Sequence, residues 1–404
     1  MADRPLPELG GRTPVEFAAT PWMDLMAREG LLGTVRTIPP GFPPGSDIAN
    51  LVILGYDPAV HYTGRGPLEA ASMRVSLGPN DVAFRCNLVH ITLDEESPRM
   101  KDFTAGHINT AQARMIISAL NESLADEEMR LHPGVSYRHL LVWKNGVSDL
   151  ETTPPHDITE REIRPHLPKG ERAEVLLDLM KRSQRLLRSP GFLPIIPHGN
   201  PNPPNSIWPW GQGKAPRMEP ITRRWGIRGA IITAVDLLKG LGIYAGLEMV
   251  EVPGATGYYD TDYEAKGRCA LEALQGGFDF VLVHVEAPDE AGHQGDLAEK
   301  IRAIESFDEH VVGVILDGIR RWGDWSVLIL PDHATPISVK THTEEPVPFA
   351  LLSSRGNPRG GMRFNEEDAR RSGIFVEDGS NLLDRFLFSR ADRDRPPRVA
   401  EIKS

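Results

Sequence analysis

Apolar positions along this chain follow two periods, and the pattern changes character twice. Near the amino end, PVEFAATPWMDLMAREG carries Phe17, Met23, Leu25 and Met26 and stops at Gly30, which predicts a helix ended by glycine. Pro39, Pro40, Pro43, Pro44 and Gly45 then exclude helix. The spacing of Ile48, Leu51 and Val52 predicts a new helix from Asp47, so Ser46 stands at a loop-to-helix junction, a natural N-cap. From about Met73 to about Asn205 the texture differs. DVAFRCNLVHITL and VSYRHLLVWKNG read as strands; NTAQARMIISALNESLADEE and ERAEVLLDLMKRSQRLLRSPG read as helices. GFLPIIPHGNPNPPNSIWPWGQGKAP, dense in Pro and Gly, reads as a linker. Beyond it GAIITAVDLLKGLGIYAGL reads as helix, FDFVLVHVEA as strand, DLAEKIRAIESFDEHVVGVILDGIRRWG as one long helix and WSVLILPDH as strand. Long helices alternating with short apolar strands predict a parallel, doubly wound sheet. The expected fold is α/β. Residues 1–72 and 216–404 form a discontinuous doubly wound domain, and 73–215 a smaller inserted α+β domain with a Pro/Gly-rich hinge at 189–218.

A length of 404 residues fits roughly two domains of about 150 residues or more each. The net charge of −11 argues against a nucleic-acid partner, whose footprint is a basic face. An anionic substrate would need positive charge supplied locally by Arg, Lys and metal. Cys86 and Cys269 allow at most one disulfide, and a reducing cytoplasm is the simple reading. No apolar run approaches the ~18 residues of a spanning helix, so no membrane partner is expected. Homo-oligomer formation stays open.

Four short pieces carry candidate chemistry: Ser46 with Asp47 in PGSDIAN, Asp289 and His293 in PDEAGH, Asp332 and His333 in LILPDHATP, and His342 in THTEEPVP. Asp289 and the Asp332–His333 pair follow predicted strands, and ligands of open α/β sheets bind beyond the carboxyl ends of strands. Carboxylates with imidazoles and no thiolate suit Zn, Mn or Mg. Three histidines make a two-metal site plausible, of the kind that clamps both oxygens in phosphoryl transfer. Taken singly, each piece is commoner as surface polarity. Their order, their places after strands and the serine at a helix start are together hard to reach by accident.

With ELGGRTPVEFAATP, PPGSDIANLVILGYDP, YTGRGPLEAA, DVAFRCN, PWGQGKAP, VPGATGYYDTDYEAKG, VHVEAPDEAGHQGD, PDHATP and HTEEPVPFAL, the chain resembles, over nearly its whole length, the cofactor-independent phosphoglycerate mutases of the archaeal type, within the alkaline-phosphatase superfamily. The resemblance implies an alkaline-phosphatase-like sheet and interconversion of 3-phosphoglycerate and 2-phosphoglycerate, small phosphorylated three-carbon acids, without 2,3-bisphosphoglycerate. It implies Ser46 as the nucleophile that becomes phosphorylated. Asp289, His293 and His342 would hold one divalent metal ion, and Asp332, His333 and Ser46 a second. Lys214 would approach the reacting phosphate, and Arg65, Arg85, Arg138, His156 and Asp157 would grip the substrate. The inserted domain would close to keep water from the phosphoserine. A phosphatase or other phosphotransferase on the same catalytic domain is the rival within enzymes, and a metal-binding inactive paralogue the rival outside them. In the family an apolar strand ending in Asp-Gly precedes the phrase that MADRPLPELGG resembles, and its Asp ligates the second metal. The expectation is that Met1 is an internal methionine, with a strand of typical length upstream.

Overall fold

The computed structural model describes residues 1–92, 96–124, 128–196, 199–355 and 361–387. Short apolar runs bounded by glycine or charge become the strands of two sheets within Met1–Tyr62 and Met218–Ser404. The strand Leu31–Val35 pairs antiparallel with Val347–Ser353, which pairs antiparallel with Ser326–Ile329; on its other side Leu31–Val35 runs parallel to Phe375–Val376. In the second sheet Gly229–Ile232 lies parallel between Glu248–Met249 and Phe280–Val283. The helices Asp236–Tyr244 and Tyr263–Gln275 supply the crossovers that parallel pairs require. The fold is mixed α/β, and the expectation of a parallel sheet is corrected at one strand: Val347–Ser353 runs antiparallel to both of its neighbours. The strands Phe280–Val283 and Ser326–Ile329 flank a cavity of about 600 Å³, lined by Val281, Leu282, Val327 and Leu328 with Val311 and Ile315 of the adjoining helix.

The chain divides into two compact units, Met1–Tyr62 with Met218–Ser404, and Thr63–Arg217. The helix Arg65–Ser72 belongs to the second unit, although the sequence reading placed it before the crossing. In that unit Val82–Ile91 is the central strand, paired antiparallel with Arg138–Trp143 on one side and Ser206–Lys214 on the other. Alternate residues serve opposite faces. Val82, Phe84, Cys86 and Leu88 pack into a core shared with the helices Thr110–Leu124 and Ala173–Leu187. Ala83 packs with Ala70, Leu140 and Val142. Gly66 makes the second contact close: a Cβ there would meet the Ala83 carbonyl oxygen at 2.2 Å.

Four sequence expectations are corrected. The expected linker contains the strand Ser206–Lys214, with Ile207, Trp208 and Trp210 buried. Pro209 is tolerated because this strand lies at the sheet edge. The stretch expected as one helix from Gly229 begins as the strand Gly229–Ile232 and turns helical only at Asp236. The first helix splits into Pro14–Phe17 and Pro21–Glu29, since Pro21 restarts the ladder. The long helix is interrupted by π-helix over Asp308–Gly313. The buried carboxylate of Asp308, pushed up to about 6 by burial, accepts from Trp22 N–H at 3.2 Å and Met23 N–H at 2.7 Å. It thereby caps a helix whose own N-cap, Thr20, makes no side-chain bond.

Two side chains, Lys300 and Asp3, are fully buried as an ion pair at 2.7 Å. Lys300 Nζ also donates to the Thr335 carbonyl at 2.8 Å, and Asp3 Oδ2 accepts from Ile337 N–H at 3.1 Å. Lys300→Met leaves an uncompensated carboxylate in the interior and should cost about 3–5 kcal/mol, whereas Lys300→Met with Asp3→Leu should recover most of it. Urea unfolding of the three proteins checks this.

In the second unit, His139 is buried, accepts from Gly134 N–H at 3.0 Å and is pushed down to about 3 by burial. The unfolded chain takes up this proton near pH 6.5, so between 6.5 and about 3 the unfolded state binds more protons and stability falls as pH falls. The loss from pH 7 to pH 5 is about 2 kcal/mol. His139→Gln should reduce the shift in urea midpoint between those two pH values by a corresponding amount.

Candidate active site

The proline-rich stretch 39–45 delivers the chain to the helix Ser46–Ile53. Ser46 is the first helical residue rather than its N-cap: Gly45 takes that place in extended backbone, and its carbonyl accepts from Ala49 N–H at 3.0 Å. Relieved of capping, Ser46 Oγ lies 2.9 Å from His333 Nε2. One turn on, Asn50 Nδ2 donates to the Ser46 carbonyl at 2.9 Å and to Asp332 Oδ2 at 3.0 Å, tying the serine's helix to the loop beyond Ser326–Ile329.

Asp289 and His293 sit on the helix Ala287–Gln294, which begins a few residues after the strand Phe280–Val283. A spacing of four puts both on one face. His293 Nε2 is 3.1 Å from Asp289 Oδ2 and 2.9 Å from His342 Nε2, and His342 Nε2 is 3.6 Å from Asp289 Oδ1. The three side chains offer ligand atoms all within 4.8 Å of one another. The remaining ring nitrogens fit the same reading. His293 Nδ1 is 3.1 Å from the Lys340 carbonyl and His342 Nδ1 is 3.4 Å from the Pro44 carbonyl. Carbonyls only accept, so each Nδ1 carries a proton; without an ion His293 Nε2–H donates to Asp289, and with an ion bound each Nε2 would be the nitrogen left to offer it a lone pair.

Charges in the site respond accordingly. The hydrogen bond to Asp289 raises His293 to about 9 against the opposing effect of burial. Burial pushes Asp289 up, yet its bonds with His293 and His342 hold it well below the usual carboxylate range. Burial lowers His333 despite the nearby Asp332 carboxylate, whose Oδ2 is 3.5 Å from His333 Nε2. Glu286, raised well above its ordinary value by burial and by Asp289 and Asp332, is a neighbour that sequence reading passed over.

Asp289, His293, Asp332, His333, His342 and Ser46 thus converge within the first unit. The other candidates lie in the second unit and divide by burial. Arg85 is buried, its Nε 3.1 Å from Glu69 Oε1 but without hydrogen-bond geometry. Its guanidinium and that of Arg65 lie over Trp210, with centroid distances of 4.7 and 5.9 Å. The His156 ring meets Trp210 edge-on at 5.4 Å, and its Nε2 is 3.5 Å from Asp157 Oδ1. Arg138 is an exposed strand residue. Lys214 ends the strand Ser206–Lys214, its carbonyl accepting from Thr63 Oγ1 at 2.7 Å. Sequence reading also missed two residues that organise the first unit: Asn50, which helical spacing from Ser46 could have marked, and Thr335, which stands inside the quoted PDHATP.

Comparison with known proteins bears on the family of the whole chain. The family model described as 2,3-bisphosphoglycerate-independent phosphoglycerate mutase matches residues 27–191. A probable enzyme of that name from Geobacter sulfurreducens is 51% identical over 389 residues, 96% of this chain and 97% of that protein. One from Methanosarcina barkeri is 49% identical over 387 residues, 95% and 96% of the two chains. Among solved structures, a Pyrococcus horikoshii protein superposes with a TM-score of 0.81 at 28% identity, covering 98% of this chain and 96% of that one. A cofactor-independent phosphoglycerate mutase from Thermoplasma acidophilum gives a TM-score of 0.64 at 26% identity, with 96% of each chain covered. The chain belongs to the 2,3-bisphosphoglycerate-independent phosphoglycerate mutase family.

Proposed function

We propose that this protein interconverts 3-phosphoglycerate and 2-phosphoglycerate, in glycolysis and gluconeogenesis, through a phosphoserine at Ser46 and without 2,3-bisphosphoglycerate. The observation that carries the reading is Ser46 Oγ set 2.9 Å from His333 Nε2 at the start of a helix, beside the Asp289–His293–His342 cluster. A helix N-terminus favours the phosphate the serine would carry.

Asp289, His293 and His342 would hold one divalent cation, and Asp332, His333 and Ser46 a second; oxygen and imidazole donors without thiolate suit Mn, Mg or Zn. Bound there, the ions would neutralise phosphate charge and make the serine hydroxyl a better nucleophile. In the forward step a bond forms between Ser46 Oγ and phosphorus while the bond from phosphorus to the glycerate oxygen breaks, and the proton lost by the serine hydroxyl is balanced by the one that the departing glycerate oxygen takes up. In the return step the other glycerate hydroxyl takes the phosphoryl group and frees the serine. Arg65, Arg85, Arg138, His156, Asp157 and Lys214 are assigned to the substrate's carboxylate, hydroxyls and phosphate. Arg65 has a buried Nε without a hydrogen-bond partner, which fits a waiting anion site, whereas Arg85 Nε already stands 3.1 Å from Glu69 Oε1. We place the fold in the alkaline-phosphatase superfamily and the reaction in the cytoplasm; among the described residues no helix is long and apolar enough to cross a membrane.

Ser46→Ala should lower turnover of 3-phosphoglycerate by on the order of 10⁴ or more, the scale for loss of a covalent nucleophile. Its thermal midpoint should stay near the parent's, because the serine side chain makes no cap bond. Proton and phosphorus NMR of the product mixture reads both isomers; inorganic phosphate without 2-phosphoglycerate from the parent would assign a phosphatase instead. Chelation should silence the enzyme and manganese should restore it. Asp289→Ala and His342→Ala should each lower bound metal by elemental analysis, and unchanged metal in both would remove the cluster from the site.

A further inference from the structure

Two residues beyond His333 stands a threonine to which the reaction as described gives no part. We propose that Thr335 is a positioning residue, whose single hydroxyl fixes the tautomer of His333 and links it to Asp289. The proposal rests on the assignment of Asp289 and His333 to the ion-binding centre.

Thr335 is 1% exposed. Its Oγ1 is hydrogen-bonded to Asp289 Oδ1 and lies 3.2 Å from His333 Nδ1. A hydroxyl has one proton to give, and an ionised carboxylate can only accept. The proton therefore goes to Asp289, and toward His333 the hydroxyl oxygen is an acceptor. His333 Nδ1 must then carry the ring proton, which leaves Nε2 bare in the neutral ring. Nε2 is the atom that faces Ser46 Oγ at 2.9 Å. The imidazole thus presents a lone pair, rather than an N–H, to the serine or to an ion beside it. Reversing the tautomer would turn a donor toward Ser46 and cancel both uses.

The threonine is itself held from several sides. Lys300 Nζ donates to its carbonyl at 2.8 Å, and its own N–H donates to the Ala2 carbonyl at 3.2 Å. The helix that carries Asp289 and His293 can approach because residue 292 is glycine: a Cβ there would stand 2.5 Å from the Thr335 carbonyl oxygen. One hydroxyl therefore spans the two groups of ligands, and its register is set by the buried Lys300.

Thr335→Val keeps the shape and removes the hydroxyl; Thr335→Ser keeps the hydroxyl and removes the methyl. Both are made in the whole chain and their folding is checked by circular dichroism, with Thr335→Ala in reserve if valine prevents folding. In metal-free protein labelled with ¹⁵N-histidine, long-range proton–nitrogen spectra read the ring tautomer, and His333 is assigned by its loss in His333→Gln. The parent and Thr335→Ser should show His333 protonated on Nδ1, and Thr335→Val should shift toward Nε2. Manganese alone, titrated by calorimetry, should bind about 10–100-fold more weakly to Thr335→Val and near parent strength to Thr335→Ser. Parent tautomer and parent manganese affinity in the valine variant would overturn the proposal. So would a serine variant as weak as valine, which would assign the role to methyl packing. A parent that binds no manganese, yet shows the tautomer change, would sink the ion assignment and leave the positioning role standing.

Discussion

The buried pair of Lys300 and Asp3 is the constraint on which the candidate centre depends. Two charges with no solvent exposure persist only if each is matched completely, because desolvation costs several kcal/mol per ion. Lys300 meets this with Asp3 Oδ2, the Thr335 carbonyl and, at 3.4 Å, the Ala2 carbonyl. Asp3 meets it with Lys300 and the N–H groups of Arg4 and Ile337. Glu366 extends the set, accepting from Asp3 N–H and Thr13 Oγ1. The amino-terminal segment, the helix Leu297–Phe307, the loop after His333 and the helix Glu366–Arg371 must all arrive before any one of them is satisfied. The loop that presents Asp332 and His333 is therefore fixed from beneath by charge, while its upper side is free to be polar and reactive.

Elements whose signal is local were legible in the sequence. The sequence places Asp289 and His293 after the apolar run, at a strand's carboxyl end, and the structure keeps them there, on a helix, Ala287–Gln294, that the sequence reading begins only after them. The apolar runs at Phe280–Val283 and Ser326–Ile329 are strands as read. What escaped the reading depends on partners distant in sequence. Ser206–Lys214 carries Pro209 and two glycines and looks like linker, yet Trp208 and Trp210 find a core built by other strands. Leu31–Val35 contains Gly33, which admits Phe349 and Ile374 where a side chain would collide. Gly45 rather than Ser46 is the N-cap, since the serine side chain is engaged by His333 from the far end of the chain. Arg85 and Arg138 looked equivalent on their strands, but one is buried over Trp210 and the other exposed, a difference set by the layer above each strand. Thr335 was within view and had no meaning until Asp289 and His333 were placed on either side of it.

Histidines show how the same side chain is bent to opposite ends. His139, buried in the second unit, is lowered by burial. His284 is likewise lowered, to about 4, mainly by burial, although Asp332 pulls the other way. His293 meets a carboxylate directly and is raised. The contrast separates a ring dominated by its burial from one that answers a charge, and the candidate centre holds both kinds, His333 lowered and His293 raised.

The π-helical turn at Asp308–Gly313 has a consequence for how the chain can change in length. Each residue rotates a helix by about 100°. This turn sets the phase between Asp308, whose carboxylate must reach the helix Pro21–Glu29, and the apolar residues Val312, Leu316 and Ile319 that follow. Gly313 adds a second condition, since a Cβ there would come 2.6 Å from Trp22 Nε1. Losing one residue from the turn would give a more regular helix and a worse protein, because either the cap or the apolar face would swing out of line. Surface turns can absorb insertions and deletions; here the phase of the helix surface is fixed by the Asp308 cap on one side of the turn and by the apolar face on the other.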